Sequence, residues 1–169
     1  MSESILHEPL APFAMRLGER MRSRGLRLAT AESCTGGWIA KVVTDISGSS
    51  AWFERGFVTY SNAAKQEMLG VRAATLNAYG AVSEPVAREM VAGALAHSQA
   101  QVALAVTGIA GPGGGSPEKP VGTVWFAWGQ PDRGVVARCH CFVGDREAVR
   151  HQAVRIALEG LLEHLQAHV

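Results

Sequence analysis

Leu10, Phe13, Leu17 and Met21 recur at steps of three and four residues with Arg16, Glu19, Arg20 and Arg22 between them. That spacing predicts an amphipathic helix over residues 9–24, closed by Gly25. The pattern then shortens: "LRLATAES" is mostly apolar and reads as a strand, leading through Thr35, Gly36 and Gly37 into a helical stretch from Trp38 to about Val43. "AWFERGFVTYS" reads as a second strand, weakened by Gly56, and "SNAAKQEMLGV" as a short helix ended by Gly70. Ser83 caps a helix in "EPVAREMVAGALAHSQA", with Pro85 in its first turn and Val86, Met90, Val91, Ala94 and Leu95 as its buried stripe.

"VALAVTG" is almost purely apolar, the pattern of a central strand covered on both faces. After it, "GIAGPGGGSPEKPVG" holds six glycines and three prolines, so neither helix nor strand runs through it. "TVWFAWG" and "VVARCHCFVG" flank the polar turn "GQPDRG" and predict a hairpin. In its second strand Arg138 and His140 alternate with Cys139 and Cys141, so one face is expected to be wet. "DREAVRHQAVRIALEGLLEHL" is a long helix with Val149, Ala153, Ile156, Leu161 and Leu165 on its apolar side. About four helices and five strands, mixed along the chain, predict an α/β fold. The expected form is a three-layer α/β/α sandwich on a mixed, partly parallel sheet of about five strands. Residues 1–169 are read as a single domain.

Composition narrows the function classes. Apolar residues make up 47% and charged residues 18%, the balance of a soluble globular protein. No run nears the roughly 18 apolar residues that span a bilayer, and the N-terminus lacks the pattern of a signal peptide, so no membrane association and a cytoplasmic location are expected. A net charge of +1 supplies no field for nucleic acid, leaving a small molecule as the expected partner. Cys34, Cys139 and Cys141 form no C-x-x-C pair, and neither metal nor cofactor is expected. Trp38, Trp52, Trp125 and Trp128 are mostly core residues in this reading; the expected assembly is a homo-oligomer, a dimer in the first place.

Ligands of open α/β sheets gather beyond the C-terminal strand ends, where Ser33, the stretch from Tyr60 to Lys65, and Thr107 with its glycine loop all fall. Ser33 could attack a carbonyl with helix-start amides nearby, but serine before a helix is more often an N-cap, and no G-x-S-x-G elbow surrounds it. Cys34 competes with it as a thiol at a helix start or a small buried hydrophobe. A base is also needed. None of His7, His97, His140, His151, His164 and His168 has a setting that nominates it. Lys65 would need roughly three units of pKa depression from burial or positive charge, and by residue type alone it is better read as a solvated helix lysine. The loop at Gly108 could cradle an anion through its amides, with Thr107 adding a hydroxyl, yet it is neither a Walker A loop nor a dinucleotide fingerprint. Asp145 is placed to cap the last helix; Arg146, and Arg150 one turn on, could fork onto phosphate or lie solvated.

Taken in order, "TAESCTGGWIAK", "GFVTYSNAAKQEMLGV", "GAVSEPVAREM", "AVTGIAGPGGGSPEKPVGTVWFAW" and "GDREAVR" resemble the CinA C-terminal domain family over about residues 10–165. The resemblance implies hydrolysis of the carboxamide of nicotinamide mononucleotide to nicotinate mononucleotide and ammonia, in pyridine-nucleotide salvage. By matching position it implies Ser33 as nucleophile with Tyr60 and Lys65 assisting. The substrate contacts it implies are Thr107 and Arg146; Asn62, Gly108 and the backbone amides of Thr35, Gly36 and Gly37, which would hold the oxyanion, are expected beside them. Longer members carry a further N-terminal domain, for which 169 residues leave no room, so the standalone form is expected. The rival readings are a non-catalytic nucleotide-binding or regulatory module of the same fold, and an amidase built on Cys34.

Overall fold

The computed structural model describes residues 8–167; the reading of the N-terminus rests partly on residues 1–7, and His7 and His168 also lie outside the described residues. In chain order the elements are α1 (Ala11–Ser23), β1 (Leu28–Glu32), α2 (Trp38–Thr44), a 3-10 turn (Ser49–Ala51), β2 (Phe53–Val58) and α3 (Asn62–Leu69). They continue with α4 (Ala73–Tyr79), α5 (Glu84–Ala96), β3 (Val102–Gly108), β4 (Thr123–Gln130), β5 (Gly134–Cys141) and α6 (Arg146–Gln166). The strands form one sheet in the order β2-β1-β3-β4-β5. β1 is parallel to both β2 and β3, and β4 and β5 continue antiparallel as the expected hairpin edge.

The pleat sorts side chains by size. Leu28, Val102, Leu104, Val106, Val124, Phe126 and Trp128 join a core with α1, α2 and α6. The alternating residues Ala29, Ala31, Ala103, Ala105 and Ala127 meet α5, with Leu69 of α3 and Leu76 of α4. These two cores are the faces of the expected three-layer sandwich. Small residues let backbones approach on both sides. A Cβ at Gly93 of α5 would overlap the Leu69 carbonyl, and one at Gly160 of α6 would overlap the Trp128 ring. Trp128 is buried beneath α6 and donates its indole N–H to the Ala157 carbonyl at 2.9 Å.

Helix α1 ends as its sequence demands. Gly25 has φ +63°, its N–H donates to the Arg22 carbonyl, and the Leu26 N–H donates to Met21. This double bond pattern satisfies carbonyls that the last turn would otherwise leave open. Among the described residues no helix is long and apolar enough to cross a membrane.

Several expectations need correction. The described residues hold six α-helices, not about four; α4 was missed, because it has no side-chain cap and buries only Thr75 and Leu76. On α5 Leu95 is only partly buried, while Ala87 and Gly93 are buried. On β5 the wet positions include both cysteines, whereas His140 is half-buried and stacks on Phe142 at 5.4 Å. β5 is an edge strand, so neither of its faces is fully covered. Gly56 lies within β2 and pairs with Thr30, whose hydroxyl would lie 2.8 Å from any Cβ there, so the close approach requires glycine.

Candidate active site

The chain passes from β1 to β2 through α2 on one face of the sheet, and from β2 to β3 through α3, α4 and α5 on the other. The strands next to β1 are therefore reached by oppositely placed connections, which opens a crevice beyond the C-terminal ends of β1 and β3. Ser33 begins the turn after β1, and its N–H donates to the Val106 carbonyl of β3 at 3.0 Å.

Ser33 is not the cap of α2. Gly37 occupies that position with φ +98° and no side-chain cap, and the free amides are taken by Glu32. The Glu32 carboxylate, 1% exposed at the end of β1, accepts from the N–H groups of Ile39 at 2.8 Å and Ala40 at 3.1 Å. The helix start thus satisfies a buried charge that would otherwise be costly. Its signal in the sequence is an acid closing an apolar strand. With capping assigned to Glu32, the Ser33 hydroxyl is left for another partner.

That partner is Lys65. Ser61 caps α3 by accepting from the Ala64 N–H at 3.0 Å, and Gly70 ends the helix by directing the Val71 N–H onto the Lys65 carbonyl at 3.1 Å. Between these stops the Lys65 side chain runs inward and is 1% exposed. Its Nζ donates to Ser33 Oγ at 2.8 Å and to the Thr59 carbonyl at 2.8 Å, with the Tyr60 carbonyl at 3.5 Å. Burial lowers its pKa from 10.5 to about 8, against a smaller opposing effect of Cys34. Cys34 lies in the core, where burial raises its thiol to about 11 and keeps it protonated.

A cavity of about 300 Å³ opens over this pair, at the small end of the range for small-molecule sites. Ser33, Cys34, Tyr60, Asn62, Lys65, Thr107, Gly108 and Arg146 line it, together with Ala81, Val82, Ile109, Ala110, Gly111, Gly113 and Gly114. Thr35, Gly36 and Gly37 do not. Thr35 is fully buried, the Gly36 N–H is committed to the Ser33 carbonyl, and Gly37 caps α2. Arg146 bridges the rim, donating to the Gly111 carbonyl at 2.8 Å and to the Tyr60 hydroxyl at 2.9 Å. These bonds use two of the five guanidinium donors. Tyr60 therefore meets Lys65 through its carbonyl, while its hydroxyl belongs to Arg146. Thr107 donates its only hydroxyl proton to the Ala81 carbonyl at 2.9 Å, pinning the segment before α5. Ala81, Val82 and Glu32 are the site residues that sequence reasoning did not single out. A larger groove of about 500 Å³ between α1 and α6 is lined largely by Arg and Glu side chains and holds no comparable pair.

Fold and site together define an α/β protein with a serine–lysine pair at the switch point of a mixed sheet. The model of the CinA C-terminal domain matches residues 10–165, and the chain belongs to that family. It is 58% identical over 152 residues to nicotinamide-nucleotide amidohydrolase PncC of Escherichia coli K12, covering 90% of this chain and 92% of that protein. To the protein of the same name from Pseudomonas putida it is 55% identical over 156 residues, covering 92% and 97%. The crystal structure of a CinA-superfamily protein from Klebsiella pneumoniae superposes with a TM-score of 0.91 at 41% identity, covering 95% of this chain and 99% of that one.

Proposed function

We propose that this chain is an amidase that hydrolyses the carboxamide of nicotinamide mononucleotide to nicotinate mononucleotide and ammonia, with Ser33 as nucleophile and Lys65 as its base. The relatives' printed activity supports the reaction, and the 2.8 Å bond between a buried amine and the Ser33 hydroxyl is the observation that carries the mechanism. Neutral Lys65 keeps two N–H groups for the Thr59 and Tyr60 carbonyls and offers its lone pair to the hydroxyl. Ser33 Oγ attacks the amide carbon as its proton passes to Nζ, and the tetrahedral adduct collapses when that proton moves to the departing nitrogen. Water then cleaves the acyl ester, releasing the carboxylate and restoring the hydroxyl. The cationic pyridinium ring withdraws electrons from the carboxamide, which opens its carbon to attack by the hydroxyl that Lys65 deprotonates.

The three uncommitted donors of Arg146 suit the phosphate, with the amides of the glycine loop, and this remote grip orients the ring for attack. The rim bond from Arg146 holds Tyr60 beside the entrance. Assembly as a dimer and a cytoplasmic location are part of the same reading. The test is ammonia release from the pure protein with nicotinamide mononucleotide, beside the Ser33→Ala variant and with nicotinamide as control. Turnover of the nucleotide, little with nicotinamide and almost none in the variant is the expected result. Folded protein without turnover would instead favour a nucleotide-binding module.

A further inference from the structure

Arg150 lies one turn beyond Arg146 on α6 but serves a different surface. Its Nε donates to the Cys34 carbonyl at 3.0 Å and its Nη2 to the Thr35 carbonyl at 3.2 Å. The guanidinium also lies over the Trp38 ring, 5.4 Å from the centroid. Gly36 has φ +59°, and a Cβ there would come within 3.3 Å of Nη2, so glycine both forms the turn and admits the guanidinium. The Ser33 carbonyl, one residue earlier, accepts from the Gly36 N–H at 3.0 Å. Three successive carbonyls of the turn are thus held, two of them by one planar cation.

We propose that Arg150 is a positioning residue for the nucleophile. Its fork on the Cys34 and Thr35 carbonyls fixes the backbone that carries Ser33 and so keeps Oγ in line with Lys65. Lysine could not replace the fork, because a point charge cannot satisfy two carbonyls with planar geometry.

This inference rests on Ser33 being the nucleophile, and its test keeps the two apart. Arg150→Ala and Arg150→Lys are assayed for kcat and KM with nicotinamide mononucleotide. In parallel, sulfonylation of Ser33 by phenylmethanesulfonyl fluoride is followed by mass spectrometry, which needs the hydroxyl and its base but not the nucleotide. In Arg150→Ala, kcat should fall about a hundredfold with KM nearly constant, and sulfonylation should slow in parallel. Millimolar guanidinium should restore part of both rates, ammonium neither, and Arg150→Lys should recover less than the rescued alanine variant. Unchanged rates would overturn the proposal, as would a rise in KM alone or a loss that follows melting and resists rescue. Wild-type protein that is sulfonylated at Ser33 yet releases no ammonia would refute the substrate reading and leave Arg150 to be judged by sulfonylation; no reaction by either route would refute both.

Discussion

The lowered pKa of Lys65 gives a quantitative test of its role as base. The neutral amine is the active form, so kcat/KM should follow its fraction in the free enzyme. With a pKa of about 8, that fraction is about 0.09 at pH 7 and about 0.9 at pH 9, a tenfold rise that levels off. An ordinary lysine at 10.5 would give a hundredfold rise over the same interval, still climbing at its end. The substrate phosphate is already dianionic across most of this range and contributes little to the slope. The assay is initial-rate ammonia release at substrate well below KM, in buffers of constant ionic strength from pH 6.5 to 10. A plateau reached near pH 8.5–9 is the expected result. A flat profile, or a slope of one persisting to pH 10, would refute the assignment of the buried amine as the base.

Removing that amine should separate stability from activity. Lys65→Met should lose nearly all turnover yet melt no lower than the parent at pH 7, since a buried amine is replaced by an apolar chain of similar length. The advantage has a pH window. Below about 8 the amine is charged in both states and its desolvation cost is constant; between 8 and 10.5 the unfolded chain binds more protons, so the parent gains stability with rising pH. The gap in Tm between variant and parent should therefore narrow across that interval, and a gap independent of pH would count against the burial. Glu32→Ala should cost about 2 kcal/mol by uncapping α2, lowering Tm by roughly 4–8 °C in thermal denaturation. Iodoacetamide at pH 7.5 should label exposed Cys139 and Cys141 and spare Cys34, with activity retained; labelling of Cys34 in step with inactivation would revive the cysteine mechanism. Gly93→Ala should destabilise by about 3 kcal/mol or more, because its Cβ meets the backbone of Leu69 and not a movable side chain.

The elements legible in the sequence are those with local causes. Gly25 and Gly70 mark helix ends because each supplies a positive φ at the stop, and Ser61, Ser83 and Asp145 each accept from an N–H three residues on. Helix α4 has no such mark except its closing Gly80, and a seven-residue helix with two buried positions leaves no stripe to read. For the site, local reasoning led toward the wrong partner. Serine before a helix suggested a cap, whereas the cap is the preceding glutamate reaching back from the strand end. Lysine on a polar helix suggested solvent, and α3 has little amphipathic pattern to contradict that, although Lys65 and Leu69 are its buried residues.

What decides the role of Lys65 is the order of strands. β2 lies directly beside β1, with Glu32 paired to Val58, and the Thr59 N–H extends that pairing by donating to the Glu32 carbonyl at 2.8 Å. The two chain segments therefore leave the sheet side by side, Ser33 from one and Thr59 from the other. The cap at Ser61 then starts α3 in time to return Lys65 across Thr59. A slip of one residue in the register of β1 and β2 would turn alternate side chains to the opposite faces, taking Phe57 out of the alanine-lined core. The packing that fixes the register thus also fixes the distance between hydroxyl and amine. Phe57→Ala, outside the lining of the cavity, should for this reason lower kcat along with stability, by loosening the strand pair on which the dyad stands.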